Sequence, residues 1–262
     1  MRRSNTSGIV LLVAVVMMLA GTVTVTLSGC ATVGMSNTPA PATTSVQTVE
    51  YYPFLVKGYQ NSFPHRSILI LIPVDARNMA ETGVSDTAPL NGSPAVGVAV
   101  DKDGNITQRL YTVPLGPILQ KAIARSSDEA GLTAFSSIDT AYKSGVKNAN
   151  AYVLESKITK CWVKKSQSAN GHFGPMFRTV ADFRIEVSIY KPPFSVPFWS
   201  GATSDTYYDP PVGSFGLGPD DEAGIYDEPG QVLSVALTRT VAQIFERQDL
   251  RNLMLEDDIR AR

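Results

Sequence analysis

Ala181-Asp182-Phe183-Arg184-Ile185-Glu186-Val187-Ser188-Ile189-Tyr190 alternates apolar and polar side chains without a break. A period of two is that of a β-strand, so Ala181, Phe183, Ile185, Val187 and Ile189 predict a buried face and the residues between them a wet one. A strand with one wet face should run antiparallel to its neighbours. Val196 to Tyr207, carrying Phe198 and Trp199, reads as its hairpin partner across the Lys191-Pro192-Pro193 turn.

Upstream, Ala151 to Val163 reads as a longer strand and Leu132 to Phe135 as a short one. Ser67 to Val74 (SILILIPV) is a continuous, β-branched apolar run, which predicts a buried central strand. Val96 to Val100, the Asp103-Gly104 turn and Ile106 to Thr112 predict a hairpin. Asn78 to Ser93 reads as a long loop.

Two segments change period. In Pro114 to Ala130, Leu115, Ile118, Leu119, Ala122 and Ile123 share one helical face, and Gly131 supplies a C-terminal cap. In Gln231 to Gln248, Leu233, Leu237, Val241, Ile244 and Phe245 face away from Arg239, Gln243, Glu246 and Arg247. Leu250 to Arg262 forms a short amphipathic tail or frays. The expected fold class is α+β, a mostly antiparallel sheet with two main helices packed on one face.

The first residues have a separate logic. Arg2 and Arg3 precede an apolar run from Ile9 to Ala20, which ends at Leu27-Ser28-Gly29-Cys30 with no acidic residue before it. These are the parts of a secretory signal, and small residues followed directly by cysteine resemble the lipobox of bacterial lipoproteins. The resemblance implies cleavage before Cys30 and lipidation of its thiol. Ala31 and Thr32, with no aspartate after the cysteine, go with outer-membrane sorting in those proteins. An uncleaved membrane-spanning anchor is the alternative, weakened by Thr22, Thr24, Thr26 and Ser28 in its second half.

The expected domains are therefore a signal peptide at 1–29, a lipidated start and flexible tether at 30–50, and one α+β domain at 51–262 facing the periplasm. Residues 31 to 50 are small, polar and proline-spaced, with little apolar surface to offset ordering. Losing Arg2 and Arg3 takes the formal charge from −1 to about −3, which leaves no electrostatic footprint for nucleic acid. With Cys30 modified, Cys161 is the sole thiol, so stability must come from an ordinary core rather than an intrachain disulfide.

The order of parts resembles the small periplasmic lipoproteins of the YajG-like kind and the auxiliary lipoproteins of ABC-type transport systems. The residues that carry the likeness are Ile70-Leu71-Ile72-Pro73-Val74-Asp75-Ala76-Arg77, Leu115 to Leu132, Ala151 to Ile158 and Phe183 to Ser200. Asn78 to Gln108 and the loop from Tyr207 to Gly230 depart from that pattern. The resemblance implies a lipid-anchored accessory of an envelope complex.

No reactive constellation stands out. His65 and His172 lie in no nucleophile context, and the sequence holds no G-x-S-x-G and no H-E-x-x-H. Asp101, Asp103 and Asn105 imitate the start of a calcium loop, but Ile106 and Thr112 stand where glycine and a bidentate glutamate are needed, so a turn is the better reading. Asp209, Asp220, Asp221, Glu222, Asp227 and Glu228 crowd one Gly/Pro-rich loop, where they either solvate it or collect a cation. Tyr207, Tyr208, Phe215 and Tyr226 in the same loop are material for a partner surface or for packing beneath it. Cys161, near Lys160, Lys164 and Lys165, is a lowered-pKa thiol or inert strand packing.

The expected function is a non-catalytic binding or structural module that needs no cofactor or metal. It is held to the membrane through Cys30 and contacts another envelope protein. The rival readings are an envelope hydrolase with a scattered site and a carrier of lipid or another apolar ligand.

Overall fold

The computed structural model describes residues 42–261, apart from 57, 60–62, 83–89, 91, 93, 138–150, 172–173 and 209–227. Cys30, His172 and the acidic stretch from Asp209 to Asp227 lie outside the described residues. Among the described residues the strands are β1 (Thr43–Gln47), β2 (Ser67–Ile70), β3 (Val74–Asp75), β4 (Ala95–Val100), β5 (Ile106–Thr112), β6 (Thr133–Phe135), β7 (Ala151–Gly171), β8 (Gly174–Tyr190) and β9 (Pro197–Tyr208). The helices are α1 (Leu115–Glu129), α2 (Pro229–Glu246) and α3 (Gln248–Ala261). The class is α+β, as expected.

β7 is the spine. One edge pairs antiparallel with β8, which pairs antiparallel with β9. The other edge takes short parallel partners in succession: β2 at residues 151–154, β3 at 157–158 and β4 at 163–166. β4 continues antiparallel to β5, and β2 continues parallel to β6. The long antiparallel ladders dominate the sheet, and Ala181, Phe183, Ile185, Val187 and Ile189 are all buried.

The expected single strand from Ser67 to Val74 is two. Leu71 still donates to the Leu154 carbonyl at 3.0 Å, but Ile72 turns outward, 62% exposed, and pairing resumes at Val74. Pro73 has no N–H to give the ladder, so the chain inserts one extra residue there before continuing along β7. The β4–β5 hairpin, placed by the resemblance inside a departure from the family pattern, is part of the sheet itself.

Arg77 fills the gap that follows. Between β3 and β4 the edge of β7 has no strand beside it, and the Arg77 guanidinium donates there to the carbonyl oxygens of Cys161 at 3.1 Å and Ala95 at 2.8 Å. Its remaining face grips both carboxylate oxygens of Asp75 at 2.8 Å. The planar, five-donor fork of arginine suits this role, because one side chain serves two strands and a carboxylate together.

Thr43–Gln47, which composition places in the tether, is a strand of the sheet. Thr43, Thr44 and Val46 are β-branched, and β1 pairs parallel with β5 along its whole length. Beyond it the chain lies extended against α2. The Gln47 side chain accepts from the Gly230 N–H at 3.2 Å, Glu50 N–H donates to Ser234 Oγ at 2.9 Å, and Tyr52 N–H donates to Thr238 Oγ1 at 2.9 Å. Four helical residues rise ~6 Å and two extended residues span ~6.6 Å, so hydroxyls four apart on α2 match amides two apart on the segment. Gly230 permits the approach: a Cβ there would stand 2.4 Å from the Thr48 carbonyl oxygen.

This covering explains why α2 is buried almost all round rather than on one stripe; of its residues only Arg239 and Glu246 are exposed. The C-terminal segment is a docked helix and not a frayed tail. Leu250 and Met254 are fully buried. Asp257 accepts from the Tyr152 hydroxyl at 2.7 Å and pairs with Lys191 at 2.5 Å, and Arg66 pairs with Asp258 at 2.8 Å. Among the described residues no helix is long and apolar enough to cross a membrane.

Candidate functional site

Two features of the described surface have the character of binding sites. The first is the arm formed where β7 and β8 run on past their neighbours: β4 leaves β7 at Ser166, and β9 leaves β8 at Val180. Gly171 pairs with Gly174 at the end of the hairpin. At the base of this arm the Lys165 ammonium lies 5.4 Å from the Phe177 ring centre, and the Arg178 guanidinium 5.1 Å from that of Tyr208. Successive strand residues point to opposite faces, so each face of the arm carries one cation–aromatic pair. Phe177 is 42% and Tyr208 52% exposed.

Of the aromatics expected in one loop, Tyr207 and Tyr208 belong to β9 instead. Tyr207 faces α2, with the Arg239 guanidinium 5.0 Å from its ring centre. Beside them Asp205 has an oxygen buried without a hydrogen-bond partner, and burial raises its carboxyl above the ordinary range despite the Arg239 charge.

The second feature is a groove of about 510 Å³ between the extended segment and α1. Val49 and Ala122 form its buried floor with Ile118 beside them, and Val113, Pro114 and Pro117 line one end. Two of those residues are prolines, so that end lacks their amide donors. At the other end the Tyr51 hydroxyl donates to Glu129 at 3.2 Å, and Arg125 reaches the same carboxylate at 3.4 Å. Burial pushes the Tyr51 hydroxyl up to about 12, so it stays protonated near neutrality. Glu50 and Lys121 complete the lining.

The candidate reactive residues resolve differently. Cys161 is completely buried behind Arg77, and loss of solvation pushes its thiol up to about 12, the reverse of an activated nucleophile. Asp101 closes a hairpin turn: its carboxylate accepts from the amides of Asp103 and Asn105 at 2.9 and 2.8 Å, and Gly104 takes a positive φ of 86°. The Asn105 side chain adds a third bond, and these contacts lower the Asp101 carboxyl. His65 is exposed just before β2. Among the described residues no group of three His, Cys, Asp or Glu side chains is placed to hold a metal ion.

The sequence places strands at 151–163 and 181–190, so the arm, built from the residues between them, was not legible. Nor was the groove, because it needs Val49 and Glu50, which composition assigned to the tether.

No protein family and no curated protein matches the sequence. Solved structures align with this chain at low similarity. A Xanthomonas campestris protein of the DUF330 family aligns with a TM-score of 0.43 at 11% identity, over 82% of this chain and 99% of its own. A Helicobacter pylori homologue of neuraminyllactose-binding hemagglutinin gives 0.40 at 10% identity, over 80% and 99%. The lipoprotein GNA1162 of Neisseria meningitidis gives 0.31 at 14% identity, over 70% and 100%. At these values the likenesses assign neither a family nor a role.

Proposed function

We propose that this chain is a non-catalytic binding module of the cell envelope, held to a membrane by a lipid on Cys30 and working by contact with another envelope protein. The observation that carries the contact reading is the β7–β8 arm. It presents half-exposed Phe177 and Tyr208, each beside a cation, and aromatic and arginine side chains are the residues enriched where proteins bind one another. The base of the arm is tied into the sheet, β7 pairing with β8 along its length and Arg77 joining β7 to β4, which favours the same reading. The lipobox-like Leu27-Ser28-Gly29-Cys30 supports the anchor. Outer-membrane placement and kinship with YajG-like proteins belong to the same proposal.

The experiment is site-specific photo-crosslinking in intact cells from a reactive residue at position 177, beside one at position 155 on the outer face of β7. A discrete adduct from 177 that is absent from 155 and is lost with Lys165→Glu, on the same face, supports the contact reading. Equal, diffuse labelling from both positions contradicts it.

A further inference from the structure

The groove beside α1 combines two properties that one ligand class answers. Its floor and one end are apolar side chains, Val49, Ile118, Ala122, Val113, Pro114 and Pro117. Its lining also includes three charged side chains, Glu50, Lys121 and Arg125, of which Glu50 and Lys121, opposite in sign, are exposed and have no ion pair between them among the described residues. The other two charges at this end of α1, Arg125 and Glu129, already face each other.

An apolar body fits the floor, since each methylene removed from water there favours binding. A neutral head leaves both lip charges unused, and a purely anionic one answers Lys121 while opposing Glu50. A head with a phosphate and an ammonium answers both. The volume, about 510 Å³, lies within the range of small-ligand sites.

We infer that the groove between the Val49–Tyr51 segment and α1 binds a single-chain zwitterionic phospholipid, its acyl chain along Val49, Ile118 and Ala122, its phosphate at Lys121 and its ammonium at Glu50. This rests on the domain being a binding module, but not on the arm or its partner. A site of this kind gives a lipid-tethered domain a second, reversible hold on single-chain lipid.

The test reconstitutes the full chain in phosphatidylcholine vesicles with a trace of lysophosphatidylethanolamine carrying a photoreactive diazirine in its acyl chain. The same chain is presented in parallel as a fatty acid and as a neutral monoglyceride. The expected result is labelling of peptides spanning 49–51 and 113–122 by the lysophospholipid, several-fold above either comparison probe. Ile118→Trp fills the groove and abolishes it. Lys121→Glu, an exposed change that leaves the fold intact, lowers it about fivefold, the scale of one lost exposed charge contact. Pairing Lys121→Glu with Glu50→Lys restores part of the loss.

Equal labelling by the neutral monoglyceride, or labelling unchanged by both Ile118→Trp and Lys121→Glu, overturns the inference. Ile118→Trp leaves the adduct from position 177 intact, so failure of the lipid site and failure of the contact reading are told apart.

Discussion

The Arg77 guanidinium donates to the main-chain carbonyl of Cys161 at 3.1 Å, on the stretch of β7 edge that neither β3 nor β4 covers. A side chain here substitutes for a missing strand. The Arg77 side chain is only 6% exposed, so the bonds it makes are not readily replaced by water.

Arg77→Ala leaves the Asp75 carboxylate and the Ala95 and Cys161 carbonyls without this donor. It should cost about 2–4 kcal/mol of stability in urea unfolding. Arg77→Lys should recover less than half, because an ammonium cannot span two carbonyls and a carboxylate in one plane. A loss below about 0.5 kcal/mol for the alanine variant contradicts this role.

The segment from Gln47 to Tyr52 should behave as part of the core. Ser234→Ala and Thr238→Val each strand a main-chain amide, at about 1–2 kcal/mol apiece. Hydrogen exchange should show the Glu50 and Tyr52 amides protected in the native chain and exposed in the corresponding variant. Gly230→Ala, whose Cβ meets the Thr48 carbonyl oxygen at 2.4 Å, should destabilise by about 1–3 kcal/mol. Rapid exchange at both amides in the native protein contradicts the docking.

Asp205 should be a liability at neutral pH. Burial raises its folded pKa, so its contribution to stability is fully present below the unfolded value near 4 and is lost as pH rises through the folded value. Asp205→Asn is therefore expected to raise Tm at pH 7 and to leave it unchanged at pH 3, where the native carboxyl is protonated. Destabilisation by this variant at pH 7 contradicts the assignment.

Asp257 behaves in the opposite sense. Burial works against its charge, but Lys191 and the Tyr152 hydroxyl outweigh burial and hold the carboxyl below its usual range. Its stabilisation is present above about pH 4 and is lost as pH falls through the folded value. Asp257→Asn should weaken the docking of α3 by about 1 kcal/mol at pH 7, allowing for partial exposure, and flatten the acid limb of the stability profile. An acid limb identical to that of the native chain contradicts it.

Periodicity revealed what side chains alone decide. The alternation at Ala181–Tyr190 and the helical spacing at Leu115–Ile123 each appear as read, with Gly131 closing α1 at a φ of 96°. Features that depend on distant partners were hidden. Thr43–Gln47 is polar enough to pass for a linker, and it becomes a strand only because β5 offers an edge. Ser234 and Thr238, hydroxyls four apart within the apolar stretch Val232–Leu237 and at its end, were the available signal that main chain packs against α2. Asp257 and Asp258 marked the C-terminal tail as polar, while their partners Lys191, Tyr152 and Arg66 lie far away in sequence. Pro73, visible from the start, was the signal that the Ser67–Val74 run breaks.

The most direct test of a lipid-held envelope module is the intact mass and membrane fractionation of the native protein beside Cys30→Ala. The account predicts a mature chain that begins at an acylated Cys30 and fractionates with membranes, and a Cys30→Ala chain that carries no lipid. A native chain that retains residues 1–29 and carries no acyl group contradicts it.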